Sequence, residues 1–321
     1  MKLSKTASRL GRFIAFTIVL TAAALSALPS RAAVGCTSPP SGLVSWWRAE
    51  GNANDSADGN HGVLAGGTTF SAGEVGQAFS FNGSNAYVSV VASSNLNVGA
   101  AGGFTVEGWI NPGDVSATHI IGEWNNGSGG IGVQFYHSNP GIGGVGALAA
   151  NVVSTSGGDH LFASSPNLIT ANNFQHVALT YDKATGIGRL FCNGVAVAVQ
   201  NLGVFTPQTT YGLNFGARAS GFPLGIYFVG LMDELSLYGR ALTTNEIQTI
   251  YAAGNAGKCA PTTPLACVAA PSGLVSLWRG ENNALDSVDG NNGTLVGNTV
   301  YGAGRVGQGF VFDGTTDRVA I

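Results

Sequence analysis

Gly188-Arg189-Leu190-Phe191-Cys192-Asn193-Gly194-Val195-Ala196-Val197-Ala198-Val199-Gln200 decides the fold class. Two apolar runs of strand length meet at Asn193-Gly194, a dipeptide that readily takes positive φ at both central positions of a type I′ turn. The stretch therefore predicts a β-hairpin, and Cys192 within it reads as a buried structural thiol rather than a nucleophile. Strand-like runs extend outward on both sides. Downstream lie Tyr211–Phe215 and Ile226–Tyr238; upstream lie Leu43–Arg48, Ala78–Phe81, Ala86–Val90, Phe104–Ile110, His119–Trp124, Gly132–Tyr136, Val145–Val152 and Gln175–Tyr181. Gly, Asn, Ser and Pro fill the gaps, as turns require. One helix is expected: Thr243-Thr244-Asn245-Glu246 spells a capping box, Leu242 and Ile247 can staple it, and Gly254 is placed to end it in a left-handed cap. A dozen strands with one short terminal helix predict an all-β, two-sheet antiparallel β-sandwich.

The chain also repeats itself. Pro40-Ser41-Gly42-Leu43-Val44-Ser45-Trp46-Trp47-Arg48 returns as Pro271-Ser272-Gly273-Leu274-Val275-Ser276-Leu277-Trp278-Arg279, and the match runs without a gap to Val90 against Ile321. The period is too long for a solenoid unit, so each copy reads as a domain, the second truncated. The expected organisation is an export signal at 1–33, a first domain at 36–259, a Pro-stiffened linker at 260–266 and the N-terminal part of a second copy at 267–321. Linked modules gain avidity without new contacts, which favours a binder or surface protein over a single-site enzyme.

The signal reading rests on a basic start (Lys2, Lys5, Arg9, Arg12), an apolar run from Phe13 to Leu28 and small residues after it. No other stretch has the length and apolarity to span a bilayer, so the expectation is a secreted protein with no membrane insertion after signal removal. Without residues 1–33 there remain nine Lys and Arg against 17 acids, a net charge of −8. An acidic chain with no basic cluster is a poor match for nucleic acid or anionic lipid. Of the four cysteines, Cys36 and Cys267 precede the two copies and Cys259 follows the first. A Cys36–Cys259 disulfide tying the ends of the first domain is the preferred reading of three possible pairings.

Several segments together resemble the laminin-G-like, concanavalin A-like jelly-roll domains of exported bacterial proteins. They are Gly42–Trp47, Asp55–Gly62, Val75–Gly83, Phe104–Ile110, Phe174–Asp182 and Gly230–Leu242, in the family's order. The resemblance implies two antiparallel sheets in a jelly roll, an extracellular setting, and binding of an extracellular glycan or a cell-surface protein, often with calcium. It does not imply one ligand, because this fold hosts lectins, adhesion modules and glucanases.

Calcium takes several hard oxygen ligands. The loop from Asp55 to Asn60 offers Asp55, Asp58 and Asn60, and Asp233 matches the strand on which related sandwiches carry a structural calcium ligand. The competing reading is an Asx turn whose side chains bond their own backbone. For a glycan, Trp124 and Asn125 at a strand end, with Tyr136 as a second cluster, are the candidate contacts. No catalytic residues are expected. None of the seven glutamates has Asp two residues on, as the glucanase strand motif of this fold requires, and the histidines lack zinc-site spacing. The reading is thus a non-catalytic, secreted glycan-binding module with a structural calcium ion. The alternatives are an adhesion or spacer domain of a large surface protein, and a glycoside hydrolase of the same fold with unrecognised carboxylates such as Glu123 and Glu107.

Overall fold

The computed structural model describes residues 35–218, 225–259, 272–303 and 308–321. The expected signal at 1–33, the linker at 260–266 and Cys267 lie outside the described residues.

The first copy is a sandwich of two antiparallel sheets. In chain order its strands are β1 (Leu43–Trp47), β2 (Gly62–Ala65), β3 (Thr69–Ala72), β4 (Gln77–Asn82), β5 (Tyr87–Val90), β6 (Gly103–Pro112), β7 (His119–Asn125), β8 (Ile131–His137), β9 (Leu148–Asn151) and β10 (Leu161–Ala163). There follow β11 (Gln175–Asp182), β12 (Ile187–Cys192), β13 (Val195–Asn201), β14 (Gly212–Phe215), β15 (Ala217–Arg218), β16 (Ile226–Tyr227), β17 (Val229–Tyr238) and the helix α1 (Thr244–Ala253). One sheet runs β13-β12-β11-β6-β17-β4-β3 with β1 also on β17, and the other runs β10-β9-β8-β7-β14-β5-β2. Alternation puts one face of each sheet inward. Trp47 of the first sheet meets Phe215 of the second edge-on at 4.9 Å, and Phe104 meets Trp124 at 6.1 Å, all four buried. Each such side chain contributes about 1.5–3 kcal/mol by leaving water.

The hairpin forms as its sequence dictates: β12 pairs with β13, and Asn193 and Gly194 have φ of 49° and 78°. The helix starts at its capping box, with the Thr243 hydroxyl accepting from the Glu246 amide and the Glu246 carboxylate accepting from the Thr243 amide. Leu242 and Ile247 share one buried cluster. Its end differs from expectation. Gly254 has φ 51° but ψ −133°, outside the left-handed helical region, and opens a short 3-10 turn over Gly254–Ala256.

Other boundaries moved for local reasons. The run Ile226–Tyr238 divides at Phe228, whose ring is wholly buried, and Val145–Val152 shrinks to β9 because Gly146, at φ 69°, still belongs to the preceding turn. Strands β2, β3, β10 and β15 were not expected; all are short, and Val63 and Leu161 on two of them are exposed, so their apolar pattern is weak.

The ends of the first copy meet. Cys36 and Cys259 form the disulfide, and Thr37 bridges Lys258 in parallel alongside it. Cys192 is a buried thiol whose ionisation burial opposes. In the second copy, β18 (Thr294–Val296) pairs with β21 (Arg318–Ala320), and β19 (Val300–Ala303) with β20 (Gln308–Val311), repeating the β2–β5 and β3–β4 pairings. Phe312 and Ile321 are 49% and 71% exposed there, whereas their counterparts Phe81 and Val90 are buried.

Candidate functional site

The outward face of the second sheet carries a row of polar side chains, one from each of five adjacent strands. Register sets the row directly: Asn151 of β9 lies opposite Gln134 of β8, Gln134 opposite Glu123 of β7, Glu123 opposite Asn214 of β14, and Asn214 opposite Ser89 of β5. At ~4.8 Å between strands, the row spans roughly 19 Å. Glu123 is its centre. Its Oε2 accepts from Arg218 Nε at 2.8 Å, its Oε1 accepts from Asn125 Nδ2 at 2.9 Å, and Arg218 donates onward to Gln134. Burial pushes the Glu123 carboxyl up, with Arg218 and Asn125 opposing, so the site holds a mutually neutralised pair rather than a free charge.

Two cavities flank that pair. One, of about 550 Å³, is lined by Tyr87, Ser89, Asn125, Asn126, Tyr211 and Asn214 among others. The other, of about 230 Å³, is lined by Gln134, Tyr136, Asn139, Arg218, Leu161 and Ile226 among others. Tyr136 stands on this face against Ile120 and Ala149, and burial pushes its hydroxyl up to about 12. Asn125 and Tyr136 therefore belong to one face but open on different cavities.

Trp124 does not. Its ring is 1% exposed and packs in the sandwich core against Phe104. An irregularity in β7 between Ile120 and Gly122 breaks strict alternation there, and from Glu123 to Asn125 the faces alternate again. Ile121 and Trp124 both turn inward, leaving Glu123 and Asn125 outside. His137, beside Tyr136, is also interior: it sits against His119 at 5.1 Å, and burial holds it neutral with a pKa down at about 3.

Asp55 is engaged as a turn residue. Its carboxylate accepts from the amides of Trp46, Ala57, Asp58 and Asn60 at 2.7 to 3.2 Å, and Asp286 of the second copy repeats the pattern with Leu277, Val288, Asp289 and Asn291. Asn60 bonds Ser45 and Ser93, and Asp58 accepts from Asn95. With its lone pairs so occupied, Asp55 does not fit the role of a calcium ligand. Asp233 is bonded elsewhere, its Oδ2 accepting from the Val75 amide at 2.8 Å, while the buried Oδ1 finds no partner. Burial, with Glu234 and Glu50 nearby, pushes its carboxyl up to about 8. That orphaned oxygen is one free acceptor, and no three His, Cys, Asp or Glu side chains among the described residues group to hold a metal ion.

The two carboxylates considered for hydrolysis are separated by the sandwich. Glu123 faces outward from the second sheet, whereas Glu107 of β6 faces outward from the first, bonded to His176 and Lys258. They cannot flank one glycosidic bond.

The Laminin_G_3 family, described as the concanavalin A-like lectin/glucanases superfamily, matches residues 82–248. The chain belongs to this superfamily. Among solved structures, the binding domain of Paraclostridial Mosquitocidal Protein 1 is similar at 15% identity and a TM-score of 0.51, covering 65% of this chain and 52% of that one. The binding domain of botulinum neurotoxin serotype G is similar at 12% identity and a TM-score of 0.51, covering 65% and 50%. The chain thus spans about half the length of these two domains, and the likeness is one of fold. No curated protein sequence matches the chain.

The two-sheet sandwich of the first copy is consistent with the superfamily's jelly roll. What sequence reasoning missed is the row itself. Gln134, Asn214, Ser89, Tyr87, Tyr211 and Arg218 belong to several separate strands and loops, and no spacing in the sequence joins them. Their one signal was polar residues alternating within otherwise apolar strands.

Proposed function

We propose that this protein is a secreted, non-catalytic carbohydrate-binding module whose site is the outward face of the second sheet. The observation that carries the proposal is the five-strand polar row with a tyrosine-bearing cavity on each side. Sugars offer hydroxyls to amide side chains and apolar ring faces to aromatic ones, and both are supplied here. The paired Glu123 and Arg218 leave no net charge to demand an ionic ligand. The separation of Glu107 from Glu123 supports the absence of hydrolysis, and the disulfide fits an exported chain.

Calcium, in this reading, binds at Asp233 with Glu50 rather than at the Asp55 turn. A cation there offsets the negative charge that Glu234 and Glu50 add at Asp233 and engages the orphaned Oδ1.

The test is retention of the purified chain on a panel of immobilised polysaccharides, alongside Tyr211→Ala and Asn125→Ala. Binding that weakens at least tenfold in both variants is the expected result, with the melting temperature unchanged in Tyr211→Ala and lowered in Asn125→Ala, which strips a hydrogen bond from buried Glu123. No retention on any polysaccharide would reject the glycan and favour the spacer reading, which the repeated segment at 271–321 supports.

A further inference from the structure

The outward face of the first sheet encloses a second constellation, independent of the glycan reading. Only two lysines follow residue 33, and one of them, Lys258, is 5% exposed. Its Nζ lies 3.0 Å from Glu107 Oε1 and 3.5 Å from Glu234 Oε2, and donates to the Glu234 carbonyl at 3.3 Å. Glu107 and Glu234 are each 1% exposed. Trp46 Nε1–H donates to Glu234 Oε2 at 3.1 Å, and the Trp46 ring lies against Lys258 with Nζ 5.2 Å from its centre. Glu234 Oε1 has no hydrogen-bond partner, and Arg48 stands 3.9 Å from it. Glu234 also has φ 56°, at the bulge where β17 slips against β6 between Asp233 and Ser236. A non-glycine residue held there against its backbone preference, its side chain aimed into a dry cluster, is the kind of strain found at reactive sites.

We propose that Lys258 and Glu234 form a spontaneous intramolecular amide bond, with Glu107 carrying the protons. Glu107 takes a proton from the Lys258 ammonium, freeing the Nζ lone pair to attack Cδ of the protonated Glu234 carboxyl. The C–N bond forms while the carbonyl electrons move onto Oε2, where the Trp46 N–H stabilises them. Glu107 returns its proton to the departing hydroxyl, which leaves as water as the Cδ–Oε1 bond breaks. It then takes the second nitrogen proton. Amide, one water and a neutral Glu107 account for every atom and charge.

The environments suit these roles. Glu234 Oε1, the oxygen that leaves, has no hydrogen-bond partner, while Oε2, where charge develops, already accepts from Trp46. Burial acts to raise Glu107, yet Lys258 and His176 bring it down to about 2, so it stands ionised with an oxygen 3.0 Å from the Lys258 Nζ. Burial disfavours the Lys258 ammonium, but Glu107 and Glu234 outweigh that and raise it, so the reactive amine is a minor form and the reaction is slow. A single turnover per chain is all that is required. The product exchanges buried ions for neutral groups, which a dry interior favours.

Intact-mass measurement of the purified, reduced and alkylated full chain tests the proposal. The expected mass is one water below that of the sequence with its cysteines alkylated. Digestion should yield a branched peptide joining the segments that contain Lys258 and Glu234, and Lys258→Arg and Glu107→Gln should restore the full sequence mass. A wild-type chain at full sequence mass with two separate peptides would overturn it, and this result does not depend on any variant folding. Water loss persisting in Lys258→Arg would overturn it equally.

Discussion

Asp233→Asn should remove the loss of stability that the calcium-free protein shows as pH rises from about 4 to 8. Asp233 is fully buried on β17, with one oxygen on the Val75 amide and the other unpartnered, and its carboxyl is pushed from 3.8 to about 8. A carboxyl raised in the folded state keeps its proton longer there than in the unfolded chain. Its contribution is therefore complete below about pH 4, declines as pH rises, and is lost by about pH 8. A difference of roughly four pKa units at 1.36 kcal/mol each is on the order of 6 kcal/mol across that window. The asparagine variant retains an acceptor for Val75 and has no charge to bury. Urea unfolding followed by tryptophan fluorescence, at half-unit steps from pH 5 to 9 in chelator, should show the wild type losing several kcal/mol relative to the variant, with the variant more stable above pH 8. Millimolar calcium should restore the wild type at pH 8 and leave the variant unmoved. Parallel stability profiles for the two proteins would refute the buried, protonated carboxyl, and an absent calcium effect with diverging profiles would refute only the cation.

Two further perturbations test the frame. Cys36→Ser with Cys259→Ser opens a loop spanning 223 residues, and since that closure is worth up to about 5 kcal/mol in the chain-entropy model, a loss of about 2–5 kcal/mol is expected by denaturant titration, with the sheets retained by circular dichroism. Gly194→Ala should cost about 1–2 kcal/mol in the same titration, because φ is 78° there and the added Cβ would lie 2.9 Å from the Tyr251 ring; an unchanged midpoint would contradict the type I′ geometry.

Sequence reading succeeded where the signal is short in range. The Asn193-Gly194 turn, the Thr243 capping box and the period-2 runs depend on neighbouring residues alone, and together they determined an all-β sandwich with one terminal helix. The Cys36–Cys259 pairing was legible because the repeat marks where the first copy begins and ends. Trp124 was placed at the surface because polar Glu123, Asn125 and Asn126 flank it at a strand end, yet alternation between outward-facing Glu123 and Asn125 turns its ring into the core. Asp55 showed the limit of composition: the same acidic loop serves a metal or its own backbone, and only its four amide donors distinguish them.

The sequence by itself determined the elements, their class and the closure of the first copy, because each rests on local backbone preference or on a covalent pair. Tertiary structure alone decided which side chains are neighbours. Asn151, Gln134, Glu123, Asn214 and Ser89 become one row, and Lys258 comes to lie between Glu107 and Glu234, only once strand order and register are fixed. Those are set by burying the apolar faces of two whole sheets against each other, a long-range balance to which residues far apart in the chain contribute.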